Sequence, residues 1–290
     1  MASNIAGENL AALRHLSPAL SSGATSRSGG SQEDLRRRRG WTAAMFRAGH
    51  RLRYPQETTS TAIILFHRFC ESEAQALRQR DRRLVVLVTC LFLAGKVRET
   101  PRRLRDVINC LHVTAAEPGG GAVEPPRLDQ AYWDMKEQVV ECEQAVLRII
   151  GFDMDGEHPY RLLLNYARSL RLSRELVQLA WGFVNDFLFI PSALELSPPT
   201  LACAAISLAA RLTDELNDLN WITGSESESE SWMGLFGVDA ASAALACNLL
   251  LDGYLQEAEQ EAGENGARHR AAPPSSRGAD GTEAVARRHQ

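Results

Sequence analysis

The sequence predicts an all-α protein made of two tandem five-helix units, and three observations carry that prediction. Strand signals are scarce: no period-two alternation is sustained, and no Asn-Gly or Asp-Gly turn joins β-branched runs. Two segments, Leu84 to Ala94 and Leu201 to Leu212, are apolar nearly all round, the pattern of helices wrapped by other helices. The same two segments match each other. Cys90-Leu91-Phe92-Leu93-Ala94-Gly95-Lys96 lines up with Ala205-Ile206-Ser207-Leu208-Ala209-Ala210-Arg211 at a shift of 115 residues, both ending in Leu-Ala-small-basic. A match at corresponding places in two helical series reads as duplication.

The first unit opens on an amphipathic stretch, 34–53, with Trp41, Met45, Phe46 and Leu52 on one side. Pro55 marks a boundary, and Ile63 to Phe69 supply the apolar stripe of a second helix over 57–70. The central helix spans 81–97. Thr100-Pro101 predicts a short helix to Leu111, since proline suits a first helical turn. A Gly/Pro-rich loop follows over 114–127, and Tyr132 to Ile150 gives a long helix. The second unit repeats this. His158-Pro159 opens a helix to Leu170, Ser173 caps one reaching Phe189, and Pro198-Pro199 opens the second central helix. After the alternating Ser/Glu run from Ser225 to Ser231, a last amphipathic helix spans Ala240 to Tyr254.

Hydrophobic residues make up 44% of 290, enough for a sizeable core in the middle of the chain. Residues 1–32 and 255–290 are rich in Ser, Gly, Ala, Glu and Arg and are expected to be disordered tails. The first tail holds a single acid, Glu8, before residue 30; a plain tail is expected over a transit peptide. The expected domains are therefore 33–153 and 154–254, with an acidic Ser/Glu loop near 213–231 in the second.

The net charge of −4 conceals an asymmetry. Residues 41–111 hold 13 Lys/Arg against 6 Asp/Glu, a balance of +7, whereas residues 112–254 hold 8 against 21, a balance of −13. Six scattered cysteines with no CxxC pair, mostly inside apolar runs, read as buried thiols and not as disulfides or zinc ligands. No apolar run approaches the ~20 residues that span a bilayer, so no membrane partner is expected.

Enzymatic motifs are missing: there is no HExxH, no GxSxG, no Walker loop and no GxGxxG after a strand. His67 and His158 are isolated and read as core histidines. Asp214, Glu215 and Asp218 fall where the second central helix ends and read as a solvated turn, not a metal site. The chain is therefore expected to be non-catalytic, with no cofactor and no metal.

Several strings resemble the cyclin box. Leu65-Phe66-His67-Arg68-Phe69 and Cys90 through Pro101 are similar to the first cyclin fold of the transcription cyclins. Gly151-Phe152-Asp153 and Glu157-His158-Pro159-Tyr160, continuing through Leu163 to Ala167, are similar to the entry into the second. Ala180 to Asp186, Leu208 to Leu212 and Trp232 to Phe236 extend the resemblance, which covers about residues 34–254. On these residues the chain is identified as a member of the cyclin family, in the group of cyclins K, T and L and nearest cyclin K. The implied fold is two tandem cyclin boxes, flanked by the tails.

The resemblance implies a nuclear regulatory subunit that forms a heterodimer with a cyclin-dependent protein kinase and activates it. In this family the first cyclin fold packs against the kinase's C-helix and holds it inward, completing the Lys–Glu ion pair on which phosphoryl transfer depends. It also implies a link to the RNA polymerase II machinery, whose C-terminal repeats would be the kinase substrate. Family motif matching places the kinase-binding contacts at Lys96, Glu99 and Glu143, with Arg98 and Arg102 as neighbours. Lys96 is one of only two lysines among the 32 basic residues and closes the central helix, where the helix dipole favours a cation. The sequence departs from the family at Arg98, where an acid is usual; this bears on the choice of kinase.

An alternative is a tandem cyclin-fold general transcription factor of the TFIIB type, which touches DNA directly. Such factors carry a zinc ribbon, for which these cysteines are wrong, and the −13 of residues 112–254 would repel phosphates. Direct nucleic-acid binding is therefore disfavoured. The Arg36–Arg39 run reads equally as a nuclear-localisation patch or as the polar side of the first helix.

Overall fold

The computed structural model describes residues 32–73, 80–115, 130–154, 156–213 and 232–271. The acidic Ser/Glu run, the Asp214–Asp218 cluster, most of the Gly/Pro-rich loop and the ends of the chain lie outside the described residues. Every regular element described is helical.

The first unit is built from α1 (Gln32–Arg51), α2 (Gln56–Ser72), α3 (Arg80–Val97), α4 (Leu104–Thr114) and α5 (Gln130–Ile149). Helix α3 touches the other four and is buried from Val85 to Leu91. Its one polar residue inside that run, Thr89, is satisfied by donating to Val85 O at 2.7 Å. The second unit holds α6 (Pro159–Ser169), α7 (Arg174–Phe187), α8 (Pro198–Leu212) and α9 (Ala240–Ala271), with 3-10 turns at Pro191–Glu195 and Trp232–Phe236. Helix α8 is buried without a break from Thr200 to Ala210 and packs on α6, α7 and α9. Both apolar-all-round segments are thus central, for the expected reason.

Local chemistry sets the ends. Ser173 accepts from Leu176 N at the start of α7, and Ser197 from Thr200 N at the start of α8. Three helices close on non-glycine residues in the left-handed conformation: Arg53 after α1, Glu99 after α3 and Arg171 after α6. Each carries the paired bonds of a Schellman end, such as Glu99 N to Lys96 O at 3.2 Å and Thr100 N to Gly95 O at 2.8 Å. The Leu-Arg ends at 52–53 and 170–171 occupy equivalent places in the two units, a second mark of the duplication.

Two boundaries differ from expectation. Helix α4 starts at Leu104 and not at Pro101, because residues 100–102 are committed elsewhere: Thr100 hydroxyl bonds Thr58 at 3.0 Å, and Arg102 bonds the end of α1. Helix α9 runs past Tyr254 to Ala271, since residues 255–262 are Leu, Gln, Glu and Ala, all strong helix formers.

The units meet along a polar seam centred on α2, whose Thr58 to Thr61 and His67 are buried. Gln56 donates to Asn185 Oδ1 at 2.9 Å, Ser60 meets the Tyr160 hydroxyl at 3.1 Å, and Thr61 meets His158 Nε2 at 2.8 Å. His67 Nε2 donates to Leu188 O at 2.9 Å. Leu188, Phe189 and Leu194 belong to the first unit's core, so the seam is apolar beneath its polar ladder.

Candidate partner-binding face

Helices α3 and α5 pack side by side, with Val139 and Val146 of α5 wholly buried against the first core. Glu143 follows that buried stripe at the surface, and Lys96 stands on the last turn of α3. The two meet: Lys96 Nζ lies 2.6 and 2.9 Å from the two carboxylate oxygens of Glu143. The lysine side chain is 44% exposed and the glutamate 16%, so the pair lies at the surface where α3 meets α5. Beneath the ammonium lies the Phe92 ring, 4.3 Å from Nζ to its centroid. A primary ammonium holds three N–H donors, so this one can exchange Glu143 for partner carbonyls without moving its stem.

Glu99 lies three residues on, exposed and in the left-handed backbone conformation that closes α3. Arg98 and Arg102 are used internally. Arg98 Nε donates to Thr61 Oγ1 at 2.9 Å and its Nη2 to Gly156 O at 2.7 Å, tying α2 to the connection between the units. Arg102 caps the end of α1, donating to Leu52 O at 3.0 Å and Arg53 O at 3.1 Å, and stacks on Tyr54. Arg38 and Arg39 are likewise turned to backbone carbonyls, Cys70 O at 3.2 Å and Gly253 O at 3.3 Å. Arg38 and Arg39 of the Arg36–Arg39 run therefore serve the fold.

On and just after α5 the structure exposes three large apolar groups that the sequence reading did not count among site residues. Trp133 and Val140 of α5 are 50% and 48% exposed, and Phe152, just past its end, is 64% exposed. Trp133 and Val140 lie seven residues apart on one face, out of phase with the buried stripe of Tyr132, Val139 and Val146. That mismatch of phase was the signal available in the sequence. Lys136 covers the Trp133 ring at 4.9 Å. Along that face Lys136 and Glu137 stand between Trp133 and Val140, so the two apolar groups are exposed among charges.

The family model for the cyclin N-terminal domain matches residues 21–155. Over 166 residues the sequence is 39% identical to human cyclin-L1, covering 57% of this chain and 31% of that protein. Residues 21–155 belong to the cyclin N-terminal domain family. Among its relatives, rice cyclin-T1-3 is 35% identical over 233 residues, covering 80% of this chain and 43% of that cyclin, and Arabidopsis cyclin-T1-5 is 40% identical over 164 residues. The chain thus spans 28–43% of the length of these relatives. The L and T names place its likeness within the transcription-related cyclins. By shape, the cyclin is similar to a chain of the yeast RNA Pol II CTD kinase CTDK-1 complex, with a TM-score of 0.57, 19% identity and 80% of this chain covered against 74% of that one. It is also similar to a chain of the CAK complex of Chaetomium thermophilum bound to ATP-gamma-S, with a TM-score of 0.56, 20% identity and coverage of 93% and 79%. At that identity the likeness is one of fold.

Proposed function

We propose that this cyclin binds and activates a cyclin-dependent serine/threonine kinase of the transcription type, in the nucleus, and that its substrate is the repetitive tail of RNA polymerase II. The observation that carries the reading is the Lys96–Glu143 pair where α3 meets α5, with Trp133 and Val140 exposed on α5. Relatives named cyclin L and T, and a fold neighbour taken from a polymerase-tail kinase complex, support the choice of partner and substrate.

The chain supplies no chemistry to the reaction. Its contribution is differential binding: a rigid helical face favours the kinase conformer whose C-helix is swung in, and the population shifts by that difference in affinity. Trp133, Val140 and Phe152 provide area to bury; Lys96 and Glu143 fix register by swapping their mutual bond for bonds to the kinase. Glu99 adds an acceptor at the end of the same helix.

The test is capture of kinase by the purified chain, followed by assay on polymerase-tail peptides. Replacing both Lys96 and Glu143 by alanine leaves neither charge unpaired, and an exposed pair contributes only about 0–1 kcal/mol to folding. The fold should therefore persist, while capture weakens by more than about tenfold, as expected when contact residues worth about 2 kcal/mol are removed. Undiminished capture and activity in the double variant would place the interface elsewhere.

A further inference from the structure

Six of the thirteen basic residues of 41–111, Arg47, Arg51, Arg53, Arg102, Arg103 and Arg105, fall along the pairing of two helices. Helices α1 and α4 lie antiparallel there. Arg47 of α1 donates to Thr114 O at the end of α4 at 3.0 Å, and Arg102, before α4, reaches Leu52 O and Arg53 O beyond α1. Between these ties Arg51 lies beside Cys110 of α4, close enough for its charge to act on that thiol. Arg53 stands exposed at the turn, held in the left-handed conformation, and Arg103 and Arg105 stand exposed at the start of α4. The side chains of Arg51, Arg53, Arg103 and Arg105 make no ion pair or hydrogen bond among the described residues. The acids bordering the ridge are Glu57, Glu99 and Asp106.

We infer that this arginine ridge docks a short phosphorylated peptide. All the cations are guanidinium groups, whose planar fork matches a phosphate in two parallel hydrogen bonds, whereas a lysine offers a point charge. Arg47 and Arg102 are anchored on carbonyls, so the ridge is held in place before a ligand arrives, and four free forks remain to grip it. A short ligand is favoured over nucleic acid by the charge of the rest of the chain. Residues 112–254 carry −13, so an extended polyanion leaving the ridge enters a repelling field, while a peptide with two or three phosphates stays within about one Debye length of it. The inference does not depend on the kinase reading, because Arg51, Arg53, Arg103 and Arg105 are not among the residues assigned to the kinase; only Arg102 and the bordering Glu99 are common to both.

The experiment is fluorescence anisotropy on the full chain at physiological salt, with three probes: a peptide carrying paired phosphoserines, its unphosphorylated twin, and a single-stranded RNA. The phosphopeptide should bind at least about tenfold more tightly than its twin, the size of one or two charge-assisted contacts. That gain should vanish in Arg51→Gln/Arg103→Gln/Arg105→Gln, with kinase capture through Lys96 retained. If the triple variant loses helical circular dichroism, Arg105→Gln alone, whose side chain holds nothing in the fold, must still cost about twofold or more. Equal affinity for the two peptides, a gain that survives the variants, or tighter binding of the RNA would overturn the assignment. Loss of kinase capture with phosphopeptide binding intact would reassign the ridge to the kinase.

Discussion

Thr61 has one hydroxyl proton, and it goes to Glu57 O at 2.8 Å. Thr61 can then only accept from its other neighbours, Arg98 Nε and His158 Nε2. His158 therefore carries its proton on Nε2, and its Nδ1 is buried without a partner. His67 is in the same position: Nε2 donates to Leu188 O, and Nδ1 has no partner. Protonating either ring would put a charge and an unanswered N–H into the seam. Burial, helped by Arg98 at His158, holds both imidazoles down at about 4, against an ordinary 6.5. As pH falls below 6.5 the unfolded chain takes up these protons first, so stability is full above that value and is lost toward pH 4. Asp186 acts in the opposite sense. Burial raises its carboxyl from 3.8 to about 6, so its contribution is present at low pH and lost as pH rises through 6. Two histidines outweigh one aspartate, and Tm should fall from neutral pH to about pH 5. In His67→Gln/His158→Gln most of that slope should disappear, even if the plateau is lower. A slope unchanged in the double variant would mean that other groups set it. Sequence reading identified both rings as core residues but could not name their partners, which are 97 and 121 residues away.

At the scale of the element, what the sequence shows best is periodicity, and what it shows least is how closely two helices approach. Gly49 of α1 and Gly40, nine residues earlier on the same helix, look alike as residues. A Cβ at Gly40 meets nothing within 4 Å, whereas a Cβ at Gly49 runs into the Thr59 side chain on α2. Thr59 is buried and β-branched, so its rotamer cannot give way. Gly40→Ala should then stabilise by up to about 1 kcal/mol, through helix propensity. Gly49→Ala should destabilise by about 1–3 kcal/mol, as overpacking does. Urea melts of the two variants check this, and equal shifts would show that α1 and α2 can separate at no cost. Helix ends were legible where Ser173, Ser197 and Pro159 mark them. They were not legible at Arg53, Glu99 and Arg171, where no glycine announces the left-handed residue and the backbone bonds of the Schellman end override the steric cost.

For the whole molecule, the ends of the described chain hold each other. Arg39 of α1 donates to Gly253 O at 3.3 Å and pairs with Glu257 of α9 at 3.0 Å, linking the first helix of one unit to the last helix of the other. The approach needs a glycine, since a Cβ at Gly253 would lie 3.0 Å from Ile190 and 3.2 Å from Arg39. One residue on, the Tyr254 hydroxyl donates to Asp186 at 2.5 Å, fixing α9 to α7. Together with the seam, this clasp couples the two cyclin boxes. Arg39→Ala should cost about 1–2 kcal/mol, the worth of a charge-assisted bond, and raise amide hydrogen exchange at residues 253–257. Exchange there unaltered by the substitution would show that the clasp does not hold α9.

The sequence by itself determined the class of the molecule: helices throughout, two buried central helices and a duplicated plan. That information is local, because the period of apolar residues says which side of a helix is buried without reference to any other helix. Only the tertiary structure decided which side chains meet. It brought Lys96 and Glu143, 47 residues apart, into one pair, and left Trp133, Val140 and Phe152 exposed. It also turned Arg98 and Arg102 inward while leaving Arg51, Arg103 and Arg105 free. The reason is physical: a guanidinium on a helix end finds carbonyls, a carboxylate or water according to which helix packs beside it, and that neighbour is set by the core as a whole.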